Sequence, residues 1–249
     1  MKVIMLALSL FCSLSQAENG PCAIVGVIKN QPIGYLDVNG RAQGVHWDYM
    51  AMLSAKSGLC MRPRLLPYAR IWQSLELGVS DLSIAFSSPD RGINFERVAL
   101  IRKVQTVVIA RKGIKLASYD DLKNIRIGKT RGTKLSDRFD SDQNLQLLEL
   151  NGYEQAIKML VAGRIDAIAG SSLVLTYQLA QHDALNEMDM TSKVILGSRE
   201  QWLHMSKKSS FKSQIPILVE SVKQLIKFGH FDAVMDKHYK GLDWRTVNR

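Results

Sequence analysis

The clearest chemistry in this chain sits at Ser87-Ser88-Pro89-Asp90-Arg91, where two hydroxyls, a proline turn and a guanidinium follow an apolar run. Arginine holds a carboxylate through two parallel charge-assisted hydrogen bonds, each contributing about 1.5–3 kcal/mol net. The stretch therefore reads as a carboxylate receptor, with Arg91 pairing to Asp90 or Glu96 on the surface as the plain alternative. A second basic stretch, Lys129-Thr130-Arg131-Gly132-Thr133, reads either as a simple β-turn or as an anion-binding loop whose N–H groups open a helix. Tyr35, Tyr68 and Trp72 lie near expected strand or loop ends, where an aromatic face can sandwich a small ligand or simply pack in the core. Tyr68 is the strongest of the three because it follows a strand, and Arg70 lies two residues beyond it.

Other chemistries lack their residues. The histidines at 46, 182, 204, 230 and 238 show no metal-ligand spacing and no partnering cysteines, so no metal and no cofactor is expected. Neither a nucleophile elbow nor a phosphate-binding P-loop is present, and no catalytic residue is assigned.

The elements that must position these groups repeat. Leu75 to Ser88 and Leu160 to Ser172 share an order 85 residues apart: a helix stopped by glycine, a turn carrying Asp81 or Asp166, an apolar strand, then hydroxyls that include Ser87, Ser88 and Ser171. A short apolar run suits a strand covered on both faces, as in parallel sheets. In open α/β sheets ligands sit beyond the carboxyl ends of the strands. Two such units predict two α/β lobes facing one cleft.

Around them the chain alternates. Strands are predicted at Ala23 to Ile28, Cys60 to Leu66, Leu82 to Phe86, Val104 to Ala110 and Ile125 to Gly128; helices at His46 to Ser57, Ile71 to Leu77 and Tyr153 to Ala162; a capped short helix at Ser118 to Leu122. Val194 to Leu196 brings the chain back, and a helical C-terminal part carries Pro216 in a first turn and a break at Gly229. No low-complexity linker intervenes, so each lobe is a mostly parallel sheet flanked by helices, and the lobes are joined by two short hinge crossings. The expected division is residues 18–105 with 198–249 in one lobe and 106–197 in the other.

Residues 1–17 read as an export signal: Lys2, an apolar core from Val3 to Leu14, and a small-x-small site ending at Ala17. That core is too short to span a bilayer, which needs about 20 apolar residues; a retained amphipathic anchor is the alternative. Cleavage after Ala17 predicts a periplasmic chain. Cys22 and Cys60 then remain, either bridged, for about 3–4 kcal/mol, or as two separate buried thiols. The formal charge of +10 falls to +9 without Lys2. The basic residues are scattered and no nucleic-acid motif appears, which leaves a solvated basic surface, an anionic ligand or an anionic membrane surface.

Taken in order, Gln43-Gly44-Val45-His46-Trp47-Asp48, Leu75-x-x-Gly78-x-x-Asp81 with Ser88-Pro89-Asp90-Arg91, Gly132-Thr133, Gly163-Arg164-Ile165-Asp166-Ala167 and Phe228-Gly229-His230-Phe231 resemble the motifs of the bacterial periplasmic solute-binding proteins of family 3, the amino-acid-binding type. The resemblance covers the mature chain. It implies the two-lobed type II periplasmic-binding-protein fold, a monomer, and no enzymatic activity. Ser88 and Arg91 would hold a ligand carboxylate, Tyr68 would stack on the ligand, and Thr133 would donate from the second lobe. The implied partners are a small-molecule ligand and an inner-membrane permease of the ABC type, or a membrane sensor; some relatives are dehydratases. Where such binders usually carry an Asp that pairs with the ligand's ammonium, this chain has Ser171. A carboxylate without a nearby ammonium therefore suits it as well as an α-amino acid does.

Overall fold

The computed structural model describes residues 20–87 and 95–248. The signal segment, Ser88 and Arg91 lie outside the described residues.

The first half begins with strand β1 (Ala23–Ile28), which pairs in parallel with β4 (Met61–Leu66) on one side and β5 (Leu82–Phe86) on the other. A two-stranded hairpin, β2 (Tyr35–Leu36) and β3 (Ala42–Gln43), follows β1. Helices α1 (Val45–Ser57) and α2 (Tyr68–Leu77) connect these strands. The second half repeats the plan with β7 (Arg126–Thr130) between β8 (Gln146–Leu150) and β9 (Ala167–Ser171), again parallel. Helix α3 (Asp137–Ser141) and helix α4 (Tyr153–Val161) connect them, and α5 (Ser172–Gln181) follows β9 directly. The 3-10 turn at Tyr119–Asn124 carries the expected cap, a reciprocal Ser118–Asp121 box.

Two long strands join the halves. β6 (Phe95–Ala110) and β10 (Val194–Ser206) pair antiparallel with each other, β10 pairs with β5, and β6 pairs with β9. The eight strands run β4-β1-β5-β10-β6-β9-β7-β8 in one hydrogen-bonded sheet. The crossings are therefore the middles of two paired strands rather than loops. Backbone groups that would need water in a linker bond each other instead. Register shifts at Ile195/Gly197, Gln201/Trp202 and Leu203/His204 interrupt that ladder, and such bulges bend a strand pair. The C-terminal helices α6 (Ile215–Lys227), α7 (His230–His238) and α8 (Trp244–Val247) complete the chain.

Packing follows the same division. Val25, Val27, Tyr49, Leu53, Leu82 and Ile84 pack with Leu218, Val222 and Phe231 of the C-terminal helices. Val108, Leu122, Ile127, Phe139 and Ala169 form a core in the second half. A third cluster spans the divide and includes Ile28, Ile71 and Leu75 from the first half and Leu150, Tyr153 and Ile157 from the second. Cys22 and Cys60 form a disulfide with Cα atoms 4.6 Å apart, beside the Ala23 N–H to Cys60 carbonyl bond that starts the β1–β4 ladder. Among the described residues no helix is long and apolar enough to cross a membrane.

Candidate functional site

The internal repeat has a structural counterpart. Gly78 and Gly163 end α2 and the α4 turn in the left-handed region, at φ +76° and +66°, where a side chain would be strained. The chain then turns into an aspartate that clamps the neighbouring strand. The Ile24 N–H donates to Asp81 Oδ2 at 2.8 Å, and the Arg126 N–H donates to Asp166 Oδ2 at 3.0 Å. The backbone repeats the pattern, with the N–H groups of Asp81 and Asp166 donating to the carbonyls of Ile24 and Arg126, both at 2.8 Å. Each aspartate therefore fixes where a central parallel strand begins, and so where its carboxyl end delivers side chains. Asp166 also holds the Arg126 guanidinium, whose hydrogen bond brings the carboxyl down to about 2. Asp81 instead accepts from the Ser209 hydroxyl at 2.7 Å.

Those carboxyl ends meet around a cavity of about 290 Å³. The first half contributes Ile28, Lys29, Asn30 and Ile33 after β1, Pro67 and Tyr68 at the start of α2, and Phe86 at the end of β5. The second half contributes Thr130, Thr133 and Leu135 after β7, Asn151, Gly152 and Tyr153 at the start of α4, Ser171 at the end of β9, and Val174 of α5. Gln201 of β10 lies between them. A wider groove of about 770 Å³ shares Lys29, Asn30, Asn151, Gly152 and Tyr153 and adds Tyr35, Glu154, Lys158 and His182 among others.

The walls touch in several places. The Gln31 side-chain amide donates to the Tyr177 hydroxyl at 3.1 Å, and Gln178 donates to the Gln31 carbonyl. A Cβ built on Gly132 would sit 3.8 Å from Ala69 Cβ, so the second-half loop faces the start of α2. Arg199 reaches the Ser87 carbonyl at 3.2 Å and the Asp137 carboxylate at 3.5 Å, linking the end of β5 to α3. At the crossing, Asn248 accepts from the Gln105 N–H and the Ser172 hydroxyl and donates to the Lys103 carbonyl.

The structure brings together Tyr68, Thr133 and Ser171 on the cavity and puts Tyr35 on the adjoining groove. Arg70 and Arg131 are exposed and line neither. Ser87 stands beside Arg199 rather than on the cavity wall. The loop around Gly132 does not open a helix fit for an anion: α3 has five residues, its N-cap Ser136 accepts from the Phe139 N–H, and its first residue is Asp137. The buried ammonium of Lys129 is committed to Asp140 at 3.0 Å. The Thr133 hydroxyl already donates to the Thr130 carbonyl at 2.6 Å, so on the cavity wall it is left to accept rather than donate. Ser171 caps α5 through the Val174 N–H.

Sequence reasoning missed Tyr153, and the repeat contains the signal that finds it. Tyr68 and Tyr153 are first residues of equivalent helices, separated by the same 85 positions as Asp81 and Asp166. Tyr153 is buried; its hydroxyl accepts from the Ser171 N–H at 3.2 Å, and burial pushes its pKa up to about 12. A Cβ at Gly170 would fall on that hydroxyl, so the strand stays bare there to seat the ring. Lys29, Asn30, Asn151 and Gln201 were also missed, although Lys29 directly follows a predicted strand. Helix α5 and strand β8 were not anticipated either; α5 is buried on every side, its Thr176 and Gln178 included, so its sequence shows no apolar stripe.

No protein-family profile and no curated protein matches the sequence. Solved structures do share the fold. One is a histidine kinase sensor domain with similarity to periplasmic binding proteins, at TM-score 0.74 and 16% identity over 88% of this chain and 96% of that one. Another is the substrate-binding protein of an amino acid ABC transporter, at 0.72 and 21% over 88% and 100%. A third is an ancestral amino-acid-binding protein, a precursor of cyclohexadienyl dehydratase, at 0.72 and 19% over 88% and 96%.

Proposed function

We propose that this chain, which has the two-lobed fold of the periplasmic binding proteins, binds a small carboxylate-bearing solute in its cleft and delivers it to an inner-membrane ABC permease. One observation carries the reading: a single cavity is walled by equivalent elements of both halves, Tyr68 with its neighbours on one side and Tyr153 with its neighbours on the other. A ligand that contacts both walls favours the closed arrangement over any open one, which is all that hinge closure requires. Ser88 and Arg91 remain the proposed carboxylate receptor, on their residue types and order. Lobes of residues 18–105 with 198–249 and 106–197, acting as a monomer, complete the picture.

The Cys22–Cys60 disulfide supports an exported, oxidising location after cleavage at Ala17. A second reading keeps the cleft and changes the output: 96% of a kinase sensor domain superposes on this chain, which favours ligand sensing as the alternative. The ancestral relative of a dehydratase keeps a test for turnover worthwhile.

Thermal-shift screening against amino acids, polyamines, dicarboxylates and aromatic acids tests the proposal, since a ligand that binds only the folded state raises the melting point by mass action. A carboxylate should stabilise the protein, come back unchanged after incubation, and lose its effect in Arg91→Ala. Stabilisation that is indifferent to Arg91→Ala removes the assigned receptor, and no stabilisation by any carboxylate removes the function.

A further inference from the structure

Charge on the cavity wall is distributed one way. Among the described residues lining the inner cavity, Lys29 is the one formal charge; tyrosines, amides, hydroxyls and apolar side chains make up the rest. Its side chain is exposed to the cleft, where it lines the inner cavity and the outer groove together. No carboxylate lines the inner cavity among the described residues. The outer groove has Glu154, but that carboxylate accepts from Lys158 at 2.6 Å within its own helix. An ammonium entering the inner cavity would thus shed water without meeting an opposite charge, which opposes binding. The hydroxyls present supply no opposite charge: Ser171 Oγ caps α5, and Thr133 Oγ1, which donates to its own turn, keeps lone pairs but is neutral.

The remaining wall is apolar: Ile28, Ile33, Phe86, Leu135 and Val174 surround the space between the tyrosines. At about 290 Å³ the cavity is at the small end of small-molecule sites.

From this we infer that the ligand is a carboxylic acid with an apolar or aromatic body and no α-ammonium, and that Lys29, which lines both the cavity and the outer groove, selects it as a second cation for the carboxylate assigned to Ser88 and Arg91. The inference rests on the proposed binding function and names its substrate class. A keto, hydroxy or unsubstituted acid fits; a free α-amino acid of the same side chain does not.

Calorimetric titration of matched pairs tests it, with phenylpyruvate and 3-phenylpropionate against L-phenylalanine, and 4-methyl-2-oxopentanoate against L-leucine. The acids should bind at least tenfold more tightly than their amino counterparts. Lys29→Met should weaken acid binding tenfold or more with an unchanged melting temperature, and Lys29→Arg should restore most of it. Amino acids binding as tightly as the acids, or acid binding indifferent to Lys29→Met, overturns the inference while leaving a solute-binding protein in place. Silence from every acid and every amino acid overturns both.

Discussion

Tyr68 and Tyr153 occupy one position twice: each is the first residue of the helix that follows an outer parallel strand, and the two side chains line the same cavity from opposite halves. Their settings differ. Tyr153 accepts from the Ser171 N–H, whereas Tyr68 is half-buried at the cleft. Tyr153→Phe therefore strands a buried backbone donor, at a cost of about 1–3 kcal/mol. For a chain of this size that lowers Tm by about 2–4 °C per kcal/mol. Gly170→Ala, which places a methyl on the same hydroxyl, should also destabilise, by about 1–3 kcal/mol. Melting curves indistinguishable from the parent would refute the seating of the ring by the bare strand.

The two clamping aspartates should not be equal. Asp81→Ala leaves the Ile24 N–H and the buried Ser209 hydroxyl without their acceptor. Asp166→Ala leaves the Arg126 N–H and a guanidinium whose side chain is 47% exposed and can turn to water. Urea denaturation should show the larger loss for Asp81→Ala, about 1–3 kcal/mol. The reverse order would mean that the ion pair, not the strand clamp, carries the stabilisation.

Acid should weaken the fold before its carboxylates titrate. Burial, with the Arg102 charge, brings His46 down to about 3; burial brings His204 down to about 4. In the unfolded chain both accept protons near pH 6.5. Below that pH the unfolded state binds protons that the folded state refuses. Stability is therefore lost as pH falls, by about 1.4 kcal/mol per unit for each histidine, until the folded values are passed. Asp166 and Asp189 are held down to about 2, so their contribution is intact above the ordinary carboxylate range and fades only toward that value. Denaturation at pH 7, 6 and 5 should give a falling series, and a flat one contradicts the burial of neutral histidines.

Reduction of Cys22–Cys60 releases a loop spanning 38 positions. The chain-entropy account assigns such a crosslink about 3–4 kcal/mol. The Cys22→Ser, Cys60→Ser double variant should unfold at correspondingly lower urea with an unchanged cleft, checked by ligand affinity at low temperature. Equal midpoints for the parent and the double variant would mean that the strand pairings of β1 and the Asp81 clamp hold the N-terminus without the crosslink.

Much of the architecture was legible in the residues themselves. The strands at Ala23–Ile28 and Leu82–Phe86 were bounded by sequence alone, because continuous apolar runs flanked by turn residues have few other solutions. The glycine stops after α1 and α2 were equally local, since left-handed caps exclude most side chains. The repeat of helix, glycine, aspartate and strand announced two equivalent halves. What the chain did not disclose is pairwise. Nothing in Phe95–Ala110 says that it will pair along its length with Val194–Ser206, because that ladder joins segments about a hundred residues apart. Nor does a lysine's letter reveal whether its charge is neutralised: Lys129 lies buried on Asp140, while Lys29, after the equivalent strand, faces the cleft. Periodicity and turn chemistry act over a few neighbouring residues and so are written in the sequence. Charge pairing and cavity shape depend on which distant atoms finally meet, and only the folded sheet decides that.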